Sequence, residues 1–189
     1  MVVIERSTRE TVVKVKLDIN GKGEALIDSP IGFLNHMLSL FAFHGKFDLE
    51  IHASGDIDVD YHHLVEDVGI TLGEAFRRAL GKRDNIKRFG FFLMPMDDAL
   101  IEVALDLVER AFFFFDVDFD KEKIGTFDVE LIREFWRSFS YNAFLTLHIS
   151  KRRGENAHHI SEAIFKGVAK ALRMALEEDK GIPSTKGMM

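Results

Sequence analysis

The 189-residue chain has no cysteine, which excludes both disulfides and thiolate metal ligands. Any metal it binds must be held by nitrogen and oxygen. No run approaches the roughly eighteen apolar residues of a membrane span, and the opening "MVVIERSTRE" carries charge where a signal peptide is apolar. The expected location is cytoplasmic, with no membrane partner. A basic surplus is missing as well: 25 Lys and Arg stand against 31 Asp and Glu, for a net charge of -6. A nucleic-acid partner, which calls for a basic face, is not expected. Low-complexity segments are absent, and only "IPSTKGMM" reads as a tail.

What is present supports a core: 47% of residues are hydrophobic, 18 of them Phe. In "TVVKVKLDIN", Val13, Val15, Leu17 and Ile19 alternate with polar residues, which predicts a half-buried strand. The Asn20-Gly21-Lys22-Gly23 turn predicts an N-terminal hairpin with a second strand near "EALID". A second hairpin is predicted where "DLEIHASGDIDVD" alternates around Ser54-Gly55, and "AFFFFDVDF" reads as a buried strand. Val65, Val68, Leu72, Phe76 and Ala79 recur at helical spacing, with Gly81 as the stop. Ile160, Ile164, Val168, Leu172 and Ala175 mark a second amphipathic helix, after a strand in "NAFLTLHIS" and a turn in "KRRGEN".

Both helices open on the same pattern, His-His-x-x-Glu, once as His62-His63-Leu64-Val65-Glu66 and again as His158-His159-Ile160-Ser161-Glu162. A shift of 96 positions superposes the two, and also lays His52 on His148. Such coincidence indicates an internal repeat. The expected organisation is α+β with a duplicated sheet-and-helix unit, divided at residues 1–90 and 91–189.

On a helix, each Glu shares a face with the His before it, while adjacent His residues point about 100° apart. The two His of a pair therefore serve different ions rather than one. Imidazole and carboxylate donors without sulfur suit Mn, Fe, Co, Ni or Zn. An isolated pair at a helix start commonly does no more than face water and cap the helix; two copies at repeat-matched positions favour metal ligation. By the same logic the repeat nominates His52 and His148 as extra ligands.

Beyond the motif, "RSTRET", "IGFLNHML", "DYHHLVEDVGITLGEA", "RFG", "PMDDAL", "TLHI", "GENAHHISEAIFK" and "PSTKG" follow one another in order through nearly the whole chain. This set resembles the imidazoleglycerol-phosphate dehydratase family of histidine biosynthesis. The resemblance implies a four-stranded sheet backed by helices in each half, similar to the second domain of a ribosomal protein. It also implies a homo-oligomer of 24 subunits built from trimers, with two Mn2+ per subunit in sites shared between subunits. By motif, the metal ligands are His36, His62, His63, Glu66, His158, His159 and Glu162. Glu134 stands where family members place a further His. His52 and His148 are not ligands in the family. Glu10 and Glu162 are the implied acid/base carboxylates, and Glu10, His36 and His62 also reach the substrate. Arg88, Arg110, Ser184 and Lys186 are the implied phosphate contacts. Asn35 replaces the family's Asp; an Asp there would orient His36, so the change is expected to weaken metal binding.

The implied reaction dehydrates imidazole glycerol phosphate to imidazole acetol phosphate. No carbonyl activates the departing C–H proton, so the imidazole ring must act as electron source, expelling hydroxide before a carboxylate removes the proton. Two rival readings are a two-metal phosphohydrolase and a metal-bridged shell without turnover. A ferritin-like di-iron bundle is disfavoured, because that signature is Glu-x-x-His on long helices.

Overall fold

The computed structural model describes residues 1–181. The first half runs β1 (Val2–Ser7), β2 (Thr11–Asp18), β3 (Ala25–Asp28), α1 (Gly32–Gly45), β4 (Asp48–Gly55) and α2 (His62–Leu80). The second runs β5 (Phe89–Met96), β6 (Ala99–Asp106), β7 (Phe112–Asp116), a small hairpin of β8 (Lys123–Ile124) and β9 (Phe127–Asp128), α3 (Glu130–Ala143), β10 (Thr146–Arg153) and α4 (Ala157–Ala175).

Each half makes a four-stranded sheet, in the order β1-β2-β4-β3 and β5-β6-β10-β7. Two antiparallel pairings are followed in each sheet by one parallel pairing, β3 with β4 and β7 with β10. A parallel pair needs a crossover, and α1 and α3 supply it. The fold is thus α+β, with a duplicated unit.

The repeat shifts register along the chain. Phe89 stands 87 positions after Val2, and Ala99 stands 88 after Thr11, whereas Glu130 stands 98 after Gly32. The β8–β9 hairpin lies between these stretches and accounts for the change. A single shift of 96 therefore matches only the later part of each half.

Alternation along β2, with Val13, Val15 and Leu17 fully buried, turns one sheet face inward. The helices of the two halves then pack on one another, α2 against α3 and α1 against α4, while each sheet covers its own helices. Buried side chains form one continuous core across both halves, centred on Phe41, Phe76, Phe135, Trp136, Phe139 and Phe165. Glycines permit the closest approach. A Cβ on Gly69 would lie 2.7 Å from the Phe135 carbonyl oxygen, and one on Gly73 would lie 2.5 Å from that of Phe139.

Four local expectations are corrected. The N-terminal hairpin is β1–β2, not β2–β3: β3 crosses to the far edge beside β4, since local alternation cannot say which strand is the partner. No hairpin forms at Ser54-Gly55, where the chain leaves β4 for α2. The Phe-rich run is an edge strand with Phe112 and Phe114 exposed, not a buried one. The strand in "TLHIS" also continues through Lys151-Arg152-Arg153, which the sequence assigned to a turn.

Candidate functional site

Both His-His-x-x-Glu segments sit at helix starts whose free N–H groups are met by local side chains. Asp60 Oδ1 accepts from the His62 amide at 2.7 Å. Asn156 Oδ1 accepts from the His158 amide at 2.9 Å and the His159 amide at 3.4 Å. These caps fix the first turn, and so aim the imidazoles.

At α4, the first half contributes to the cluster. His36 on α1 reaches Glu162 Oε1 through Nε2 at 3.1 Å, and His158 Nε2 reaches the same oxygen at 3.0 Å. Lys166, one turn further along α4, donates to Oε2. Burial pushes the Glu162 carboxyl up, but the hydrogen bonds from Lys166, His36 and His158 outweigh it and hold the pKa down to about 2. His36, His158 and Glu162 can present three ligand atoms within 4.8 Å of one another.

At α2, the matching place is built differently. Glu134 on α3 stands where α1 has His36, and Arg137 lies between carboxylates, 2.9 Å from Glu134 Oε2 and 3.6 Å from Glu66 Oε1. His63 turns the other way: its Nδ1 is 3.0 Å from Asp56 Oδ2 and 3.8 Å from Glu10 Oε2. The hydrogen bond that the Asp56 carboxylate accepts from His63 raises the His63 pKa. Glu10, Asp56 and His63 form a second group with ligand atoms within 4.8 Å. His159 repeats the arrangement in the other half, with Nδ1 2.6 Å from Asp98 Oδ1. Asp98 is held well below the usual carboxylate range by the amides of Asn156 and Glu155 and by His159. The two motifs lie on either side of the β8–β9 hairpin: Tyr61 donates to Thr126 at 3.2 Å, and Phe127 stacks on Phe33, which in turn meets His158.

The implied phosphate contacts sit elsewhere. Arg88, with a left-handed φ of 70°, grips Asp106 through Nε at 2.7 Å and Nη2 at 2.9 Å. Its backbone N–H bonds the Ala175 carbonyl at the C-terminal end of α4. It is therefore separated from His158 by the length of α4, roughly 27 Å. Arg110 is exposed at the same end of the second sheet, just before β7. Ser184 and Lys186 lie outside the described residues.

Some expectations about neighbours change. Asn35 does not face His36; its Nδ2 donates to the Ser29 carbonyl at 2.8 Å and its Oδ1 accepts from the Ser29 hydroxyl. His52 and His148 lie on the outer sheet faces, away from both clusters. Asp56, Asp98 and Lys166 were not anticipated. Lys166, four residues after Glu162, has a readable helical spacing; Asp56 and Asp98 have no such spacing to their histidines, because loops bring them there, although Asp98 lies within the "PMDDAL" stretch.

A profile of the imidazoleglycerol-phosphate dehydratase family matches residues 29–172. The imidazoleglycerol-phosphate dehydratase of a Nitratiruptor species is 51% identical over 191 residues, covering 100% of both chains. That of Caldanaerobacter subterraneus is 50% identical over 189 residues, covering 98% of this chain and 97% of its own. Among solved structures, the imidazoleglycerol-phosphate dehydratase of Staphylococcus aureus superposes with a TM-score of 0.84 at 37% identity, over 95% of this chain and 100% of its own. The IGPD of Pyrococcus furiosus superposes with 0.86 at 40% identity, over 98% and 100%. Sequence and fold agree, and the chain belongs to the imidazoleglycerol-phosphate dehydratase family of histidine-biosynthetic enzymes.

Proposed function

We propose that the dehydration is metal-dependent, with Mn2+ held at the two His-His-x-x-Glu ends, two ions per subunit. The convergence of His36, His158 and Glu162 on one point carries this reading. The donors fit: all are nitrogen or oxygen, and Glu162 is kept ionised. His62, His63, Glu66, His159 and Glu134 are the further proposed ligands. A divalent ion there supplies Lewis acidity to the substrate's ring nitrogens.

Everything else falls to side chains. Lys166 occupies Oε2 of Glu162, so that carboxylate turns a single oxygen, Oε1, toward the cluster. Glu10, in the β1–β2 turn and exposed beside His63, is the carboxylate proposed to take the C–H proton. Glu162, which would also hold the ion, is the second carboxylate proposed for acid/base work. Arg88, already oriented by Asp106, Arg110, Ser184 and Lys186 are proposed to hold the phosphate.

The separation of Arg88 from the His36–Glu162 cluster along α4 supports a site completed by other subunits. We take the assembly to be a cytoplasmic homo-oligomer of 24 copies built from trimers. No helix among the described residues is long and apolar enough to cross a membrane. The test is turnover of imidazole glycerol phosphate by metal-stripped protein, with and without Mn2+, following keto product and free phosphate. Keto product only with Mn2+ is expected. Keto product without any metal would sink the metal-dependent reading, and phosphate alone would replace it with a hydrolase.

A further inference from the structure

Because the halves are duplicates, each shows which buried polar groups the other could do without. In the first half, Asp67 of α2 is only 7% exposed. Its Oδ1 accepts from Arg6 Nε at 2.8 Å, and its Oδ2 accepts from the hydroxyl of Thr11, which is 3% exposed. Arg6 belongs to β1 and Thr11 to β2, so the two flank the turn between these strands. In the second half, the shift of 88 that carries Thr11 to Ala99 also carries Arg6 to Met94, and the shift of 96 carries Asp67 to Ala163. All three counterparts are apolar and buried.

A carboxylate taken out of water costs more to place than an alanine, even with its hydrogen bonds made. The second half packs the same strand pair and helix without the polar set, so the fold alone does not require it. Its place in the first half points to what the turn carries. That residue is Glu10, and the shift of 88 lays it on Asp98.

The two turn carboxylates have parted ways. Asp98 is committed to the start of α4: it accepts from the amides of Glu155 at 2.7 Å and Asn156 at 3.0 Å, and lies 2.6 Å from His159 Nδ1. In the first half Asp56 takes the place beside His63, at 3.0 Å, and the Glu10 side chain stays 56% exposed, 3.8 Å from the same nitrogen. The Glu10 main chain, by contrast, is pinned. Its amide donates to Thr8 Oγ1 at 3.1 Å, its carbonyl accepts from the Asp56 amide at 3.1 Å, and the Thr11 amide donates to Thr8 Oγ1 at 2.9 Å.

We propose that Asp67, Arg6 and Thr11 are positioning residues that aim Glu10 for removal of the C–H proton, an inference that rests on the assignment of Glu10 as the base. Proton transfer demands a base held within hydrogen-bond reach of its target, and a turn tied at neither end would let the carboxylate wander. The lock fastens both strands of the turn to α2, the helix whose first turn carries His62, His63 and Glu66. Asp67 directly follows Glu66, so the base and these proposed ligands are held as one body.

Thr11→Val tests this, because it removes the hydroxyl at nearly constant size and leaves Glu66, the neighbour of Asp67, untouched. Turnover is followed with Mn2+ present, and hydrogen exchange across residues 7–12 is followed by mass spectrometry. The expected result is a kcat lower by about tenfold or more with KM within about twofold, and faster exchange in the turn. Thr11→Ser is expected to recover most of the lost rate. In a Glu10→Gln background, Thr11→Val should change kcat by less than about twofold, since no base remains to be aimed. An equal loss in both backgrounds would overturn the proposal, and so would unchanged exchange in the turn. If Thr11→Val fails to fold, the triple variant Arg6→Met, Thr11→Ala, Asp67→Ala, which copies the second half, takes its place. Parent kcat from that variant, folded by circular dichroism, would likewise overturn the proposal. Parent turnover from Glu10→Gln alone would instead overturn the base assignment, and the exchange rates would still decide whether the lock holds the turn.

Discussion

Asn35 uses both ends of its amide on Ser29, ahead of α1. An aspartate at this position keeps the acceptor but has no donor for the Ser29 carbonyl. Asn35→Asp is therefore expected to cost about 1 kcal/mol, a Tm lower by about 2–4 °C for a chain of this size. A calorimetric Tm that is unchanged or raised would show that the carbonyl finds another partner. Glu134 belongs to the same scale. Its place opposite Glu66, with Arg137 between, makes it the proposed ligand that replaces a His. Glu134→Ala should reduce the number of Mn2+ ions per subunit, measured by elemental analysis of the loaded protein; an unchanged count removes Glu134 from the site. Asp48 gives the pH dependence. Its Oδ1 accepts from the amides of Lys22, Gly23 and Glu24 at 2.7–3.0 Å, and these bonds lower its pKa. A depressed carboxylate stabilises the fold above its unfolded pKa, near 3.9, and that contribution fades as pH falls below it. Asp48→Asn should thus lower Tm at pH 7, with the gap to the parent narrowing between pH 5 and pH 2. A gap constant with pH would contradict this.

At the scale of elements, α2 and α4 were legible because burial on one helical face repeats every three to four residues in the sequence itself. Their starts were legible too, since a doubled His-His-x-x-Glu has no simpler explanation. The strands that cross to parallel partners were not: β3 and β7 alternate like any edge strand, and nothing local records which neighbour they will meet. The site divides along the same line. His158 and Glu162 share a helix and could be read from spacing, whereas His36 arrives from α1 and is known in advance only through the family resemblance. The α2–α3 contact depends on residues that sequence periodicity overlooks. Gly69 and Gly73 let α3 approach to backbone contact. Gly73→Ala should force the helices apart and destabilise by about 1–3 kcal/mol, read as a lower denaturant midpoint. An unchanged midpoint would mean that α3 shifts without loss.

Over the whole molecule, each half turns its helices toward the other half and its sheet outward, and buried residues of both contribute to one core. Neither half holds a complete cluster, because His36 of the first completes the α4 site and Glu134 of the second faces the α2 site. Duplication therefore made one inseparable body out of two similar units.

The contact of α2 with α3 and that of α1 with α4 exchange under the operation that exchanges the halves. Such reciprocity is the signature of an isologous pair, so the chain is a half-length dimer whose subunits have been spliced end to end. The splice is the eight-residue passage from Leu80 to Phe89. By the same twofold relation, a linker of similar length is expected to span the gap from Ala175 back to Val2. Opening the chain within residues 82–87 and closing the old ends with about eight residues should thus give a circular permutant that folds to the same near-native circular dichroism and a cooperative melt. A permutant that stays unfolded would show that the two junctions are not equivalent.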